Sequence, residues 1–202
     1  MNRSFKELAL ATRNLHKAQE LKRMLEGLPL QILTLQDLPE FSMPPEDKPT
    51  FRENALQKAV TTAQQTGKFS LADDSGLEVD VLGGEPGVFS ARYAGPQATD
   101  PENNEKLLKA LEGIASEKRT ARFRCALALA KPSGDCEVVE GTCEGVIASE
   151  PRGTCGFGYD PLFLIPSLGK TFGELGETVK SQISHRAIAA RKLRELLQHL
   201  AS

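Results

Sequence analysis

Leu8-Ala9-Leu10-Ala11-Thr12-Arg13-Asn14-Leu15-His16-Lys17 opens as a short apolar run and breaks into polar residues. Apolar positions then recur at Ala18, Leu21, Leu25 and Leu28, the spacing of one helix face. The stretch therefore reads as strand, loop, helix. Pro29 stops the helix, and Leu30 to Leu35 returns as a second strand, the alternation of an α/β fold.

Beyond it, the Pro-rich stretch from Leu38 to Pro49 reads as irregular, and a helix starts near Thr50. Phe51, Ala55, Ala59 and Ala63 form its apolar stripe, while Asn54 and Lys58, four residues apart, share another face. Phe69-Ser70-Leu71-Ala72 predicts a strand ending at Asp73-Asp74-Ser75-Gly76, and Leu77 to Leu82 a separate one. Thr99 or Asp100, with Pro101 in the first turn, starts a helix running through Leu107, Leu108 and Leu111 to Gly113.

Arg122 to Ala130, the Ser133-Gly134 turn and Glu137 to Ile147 predict a hairpin or meander, hence a mixed sheet. Leu162 to Ile165 reads as a late buried strand. Thr171 and Glu174 have capping-box spacing, although nearby glycines limit a helix there. Ser184 is placed to cap a last helix with Ala189, Leu193, Leu196, Leu197 and Leu200 inward and Arg191, Lys192 and Arg194 in solvent.

The 202 residues suit one domain, with 40% apolar residues for its core. Net charge is −2, so no sustained positive field draws the chain to nucleic acid. The start Met1-Asn2-Arg3-Ser4-Phe5-Lys6 lacks a signal-peptide core, and no window approaches the ~20 apolar residues of a membrane span. A cytoplasmic protein is expected. Cys125, Cys136, Cys143 and Cys155 contain no Cys-x-x-Cys pair and read as reduced packing residues.

Four clusters carry chemistry. Thr12 to Lys17, at a strand-to-helix turn, offers free N–H groups, a hydroxyl, an amide and an ammonium to an anion, although an ordinary helix start uses the same residues. Asp73-Asp74-Ser75-Gly76 suits a hard cation beside phosphate, or an Asx-rich turn. In Gly153-Thr154-Cys155-Gly156-Phe157-Gly158-Tyr159-Asp160-Pro161 the glycines allow close backbone approach and leave Phe157 as a stacking platform for a planar base, or as a core residue in a tight turn. Lys180, His185 and Arg186 gather cations and a histidine around the start of the last helix, where they hold a ligand or face solvent.

In this order, the clusters resemble the inosine triphosphate pyrophosphatase family, enzymes that clear non-canonical purine nucleoside triphosphates such as ITP, dITP and XTP. The stretches that carry it are Thr12-x-Asn14-x-x-Lys17, Thr50-Phe51-x-Glu53-Asn54-Ala55-x-x-Lys58-Ala59, Ala72 to Leu77, Pro86 to Tyr93, Gly156 to Pro161 and Ser184-His185-Arg186. Arg13 and His16 depart from the family's glycines and narrow the phosphate loop. The resemblance implies a single domain over 1–202, α/β, with an elongated mixed central sheet flanked by helices and two lobes around a substrate cleft, usually as a homodimer.

It further implies that Thr12, Arg13, Asn14, Leu15, His16 and Lys17, with Lys58, grip the triphosphate. Glu46 and Asp74, with Asp73 beside them, hold Mg²⁺, and Asp74 is the general base. Ser75 touches the substrate, Phe157 stacks on the purine, Asp160 with Gly158 and Tyr159 helps to bind it, and Lys180, His185 and Arg186 complete the pocket. Donors from His185 and Arg186 to a purine 6-oxo group would reject adenine by up to about 10⁴. The reaction expected is attack of water at the α-phosphorus. A regulatory nucleotide-binding module and an unrelated α/β protein are the competing readings.

Overall fold

A computed structural model describes residues 7–38 and 42–201, with the helix alone described for 199–201. The start Met1 to Lys6, three residues of the Pro-rich stretch and the inward placement of Leu200 lie outside what is described. Strands β1 (Glu7–Leu10), β2 (Gln31–Leu33), β3 (Phe69–Val79), β4 (Thr120–Ala130), β5 (Cys136–Ile147), β6 (Phe163–Ile165) and β7 (Lys170–Thr171) form one sheet of order β2-β1-β3-β4-β5-β6-β7. Helices α1 (Leu15–Met24), α2 (Phe51–Thr66), α3 (Asp100–Ala110), α4 (Phe172–Ile183) and α5 (His185–Ala201) flank it.

The sheet is mixed, as expected: β1 runs parallel to β2 and β3, with Ala9 opposite Leu33 and Ser70, whereas β6 runs antiparallel to β5 and β7. The chain divides into two compact units. The first gathers Met1–Asp74, Cys125–Gly141 and Arg186–Ser202, and the second Ser75–Arg124 and Thr142–His185.

The first unit packs Leu8 and Leu10 of β1, Leu21 and Leu25 at α1, Leu71 of β3, Leu127 and Leu129 of β4, and Ala189, Leu193 and Leu197 of α5 into one core. The helical stripes anticipated for α1 and α5 are its helical faces. Arg194 does not lie in open solvent: its guanidinium donates to the carbonyls of Met24 and Glu26, both at 2.9 Å, and so satisfies the open end of α1. Arg191 and Lys192 are exposed as expected, and Lys192 also donates to the Glu140 carbonyl at 2.7 Å.

The second unit buries Leu77, Leu107, Leu111, Phe123, Phe163 and Phe172. α3 begins at the Thr99–Glu102 capping box with Pro101 in its first turn, and α4 at the Thr171–Glu174 box. The glycine effect anticipated in α4 takes the form of a break at Gly176, whose φ is +70°. Ser184 closes α4 immediately before α5 begins.

Two elements differ from expectation: α1 ends at Met24, short of the stop expected at Pro29, and β3 is longer than predicted. β3 does not end at the acids but runs unbroken from Phe69 to Val79, and Asp80–Leu82 is a 3₁₀ turn. Two adjacent carboxylates persist within a strand because each has its own cationic partners.

Candidate active site

On a strand, successive side chains leave on opposite faces. Asp73 and Asp74 are successive and consequently meet different partners. Asp73 is buried and takes Arg186 Nε at 2.7 Å on Oδ2 and Lys17 Nζ at 2.9 Å on Oδ1. The Cys125 thiol of β4 donates to the same Oδ2 at 3.3 Å, and Arg186 also pairs with Glu20 of α1. Burial alone would raise the Asp73 pKa, but the Arg186 guanidinium and the Lys17 ammonium overcome it and hold the carboxyl well below its usual range. Burial pushes the Cys125 thiol well up, with the Asp73 charge adding to the effect.

Asp74 faces Lys58. The buried Lys58 Nζ donates to Glu46 Oε1 at 2.6 Å, to the Asp73 carbonyl at 2.7 Å and to Asp74 Oδ1 at 2.9 Å. One ammonium thus joins two carboxylates, one of which, Glu46, keeps 38% of its side chain exposed. Burial raises the Asp74 pKa, and Glu46 adds to this, against the pull of Lys58 and Lys17. For Lys58 burial works the other way, but Asp74 and Glu46 outweigh it and raise its pKa.

These side chains test the fit of a magnesium ion. Among the described residues no three acidic, histidine or cysteine side chains form a metal cage. Magnesium, however, takes one or two carboxylates and fills its remaining positions with phosphate oxygens and water. Glu46 and Asp74 are such a pair of hard oxygen donors. Asp73, with Arg186, Lys17 and Cys125 on its oxygens, anchors cations instead.

The phosphate-loop candidate has the form expected of a helix start. Asn14 is the N-cap of α1, its Oδ1 accepting Lys17 N–H at 3.1 Å, and its own N–H donates to Thr12 Oγ1 at 3.2 Å. Arg13, Leu15 and His16 are exposed around that turn, and Lys17 reaches from it to Asp73. The first unit therefore brings together Lys17, Glu46, Lys58, Asp73, Asp74 and Arg186.

The second unit organises its loop around Asp160. That buried carboxylate accepts the Phe157 N–H at 2.9 Å and pairs with Lys180 Nζ at 2.6 Å, which lies 4.4 Å from the centre of the half-buried Phe157 ring. Gly156, at φ +81°, packs so closely that a Cβ there would meet Asp160 Oδ2 at 2.0 Å. Gly158 is held on both sides of its residue by α3: its N–H donates to Asp100 Oδ2 at 2.6 Å and its carbonyl accepts from Asn104 Nδ2 at 3.0 Å.

Three other expected site residues belong to the second unit. The Tyr159 side chain belongs to the second unit's core, where its hydroxyl donates to the Ser90 carbonyl at 2.8 Å. His185 is buried with its ring stacked on Phe123 at 4.7 Å. Ser75 is half-buried on β3. The sequence reading missed Glu20, Cys125, Asp100 and Asn104. No local spacing signals Glu20 or Cys125, whereas Asp100 and Asn104 carry the i, i+4 spacing of one helix face.

Residues 8–196 match the model of the Ham1 family. The chain belongs to the Ham1 family. It is 49% identical over 194 residues to a protein named dITP/XTP pyrophosphatase from Desulforamulus reducens, covering 96% of each chain. It is 51% identical over 192 residues to the Bacillus licheniformis protein of the same name, covering 95% of this chain and 98% of that one. Among solved structures it is similar to a HAM1 protein from Coxiella burnetii, with a TM-score of 0.86, 41% identity and coverage of 96% and 99%. A Mycobacterium abscessus nucleoside-triphosphatase, dITP/XTP pyrophosphatase, aligns with a TM-score of 0.76, 42% identity and the same coverage. The motif resemblance and the mixed α/β fold inferred from sequence thus agree with membership of the Ham1 family. No described helix is long and apolar enough to cross a membrane.

Proposed function

We propose that this Ham1-family chain hydrolyses non-canonical purine nucleoside triphosphates, such as dITP, ITP and XTP, to the nucleoside monophosphate and pyrophosphate. The observation that carries the reading is the Glu46–Lys58–Asp74 arrangement, which holds a carboxylate of raised pKa beside a fixed ammonium and a second carboxylate. A base must be ionised yet basic enough to take a proton from water, and burial moves Asp74 toward that compromise. Relatives named for dITP and XTP pyrophosphatase activity, similar along nearly the full chain, support the substrate class.

In this reading the positive end of the α1 dipole and the Thr12 hydroxyl hold phosphate oxygens, with Arg13 and His16 at the rim of the turn. Lys17 and Lys58 stabilise charge that develops on the departing pyrophosphate. Asp74 takes the proton of the water attacking the α-phosphorus. Asp73 keeps Lys17 and Arg186 in place. Magnesium, held by Asp74 and Glu46 together with phosphate oxygens, would supply further neutralisation of the phosphate charge. Phe157 offers its ring to the purine, and Asp160 and Lys180 shape the loop that presents it. Ser75 and His185 are assigned to the substrate through the motif resemblance, which also implies a homodimer; a cytoplasmic location is part of the same proposal.

The test is product analysis of ITP with Mg²⁺, comparing the native chain with Asp74→Asn. Pyrophosphate with IMP is expected, and Asp74→Asn should lower the rate by at least about 10²-fold. Orthophosphate as first product would place the attack at the γ-phosphorus and overturn the proposal. Tight ITP binding without turnover would favour a regulatory module instead.

A further inference from the structure

Asn54 is completely buried on α2, four residues before Lys58 and on the same helix face, yet none of the chemistry above uses it. Its carboxamide grips one backbone residue from both sides. Oδ1 accepts the Lys48 N–H at 2.9 Å, and Nδ2 donates to the Lys48 carbonyl at 3.2 Å. Lys48 lies two residues after Glu46, in a segment with no helix or strand of its own between residue 42 and the Thr50 cap of α2. A segment without a ladder must satisfy its backbone groups through side chains or water, and Asn54 supplies both partners at Lys48.

Successive turns of α2 therefore address the same segment twice. Asn54 fixes its backbone at Lys48, and Lys58 meets its carboxylate at Glu46. Glu46 is the most exposed member of the Glu46–Lys58–Asp74 arrangement, so its position depends on how well its own backbone is held. We propose that Asn54 is a positioning residue for the reaction: by clamping Lys48 it holds the Glu46 carboxylate beside Lys58 and Asp74. The inference rests on the pyrophosphatase reading, in which Glu46 and Asp74 act together.

An alanine would leave a void, so the informative variants are Asn54→Leu, which removes both hydrogen bonds at similar volume, and Asn54→Asp, which keeps an acceptor and loses the donor. Two measurements are made on the full chain. The first is amide hydrogen exchange of the ligand-free protein, read at Lys48. The second is kcat/KM for ITP in a cycle of native chain, Glu46→Gln, Asn54 variant and double variant.

Faster exchange at Lys48 is expected in Asn54→Leu, with little change in Asn54→Asp because its carboxylate still accepts the Lys48 N–H, and both variants should lose roughly 10–100-fold in kcat/KM, the range for removing a group that orients a metal-binding carboxylate. In the double variant the loss should hardly exceed that of Glu46→Gln alone, because Asn54 acts through Glu46. Losses that multiply in the double variant would show a merely structural role and overturn the inference, as would unchanged kcat/KM in a variant whose Lys48 amide exchanges faster. If Asn54→Leu does not fold, Asn54→Asp carries the same cycle. Absence of pyrophosphate release by the native chain would overturn the reading of the site itself, a result distinct from multiplying losses in an active enzyme.

Discussion

Asp73 and Asp74 are chemically identical neighbours whose contributions to folding have opposite signs. Asp73 has a lowered pKa, so its stabilising contribution is complete above the ordinary carboxylate value of about 3.9 and is lost as pH falls through the lowered one. Asp74 has a raised pKa, so what protonation contributes is present at low pH and is lost as pH rises through the raised value. Asp73→Asn leaves the buried Arg186 without its main counter-charge and should cost about 3–5 kcal/mol in denaturant unfolding. Asp74→Asn should change stability far less while abolishing turnover. The acid limb of kcat/KM for ITP should fall above the ordinary carboxylate range, because Asp74 must be ionised to accept a proton; a limb at or below that range would count against Asp74 as base. The sequence showed that two acids stand together, but not that the pleat would separate them, because their partners come from Lys17, Lys58 and the distant Arg186.

Among the elements, the loop from Gly153 to Pro161 and strand β3 show what was legible and what was not. The loop's glycines signalled close approach, and at Gly156 the structure supplies the reason in the Asp160 carboxylate. Gly156→Ala combines a left-handed backbone with that collision and should cost at least about 1–2 kcal/mol. It should also raise KM for ITP, since Phe157 and Lys180 both bond to the displaced carboxylate; an unchanged melting temperature and KM would contradict this. The Tyr159 side chain in the same loop packs in the core, a placement no local spacing could signal because its partner Ser90 lies 69 positions away. Local pattern predicts two strands where β3 is one, because Asp, Ser and Gly favour turns, a preference overridden once Lys17, Lys58 and Arg186 neutralise the acids.

For the chain as one object, the α/β class and the mixed sheet were legible from alternating strand and helix patterns. The boundaries of its two units were not. They fall within β3, β4, β5 and α5, after Asp74, Arg124, Gly141 and His185, inside continuous elements and not in linkers that composition would mark. A net charge of −2 leaves nucleotide binding to the local cations already described. ITP bound only by the folded chain, at 100 times its dissociation constant, should add about 2.7 kcal/mol to the stability of the Asp74→Asn protein. For a chain of this size that is a rise of roughly 5–10 °C in Tm, with ATP at equal concentration giving much less.

The first unit is stitched from three stretches, the last of which begins at Arg186. Its core needs Ala189, Leu193 and Leu197, and its most deeply buried cation has its main partner 113 positions earlier at Asp73. A ribosome therefore releases Leu8, Leu10 and Leu71 long before the helix that covers them exists. The first unit can reach its final packing only when synthesis has passed Arg186, and until then nascent chains must shield those leucines by other means.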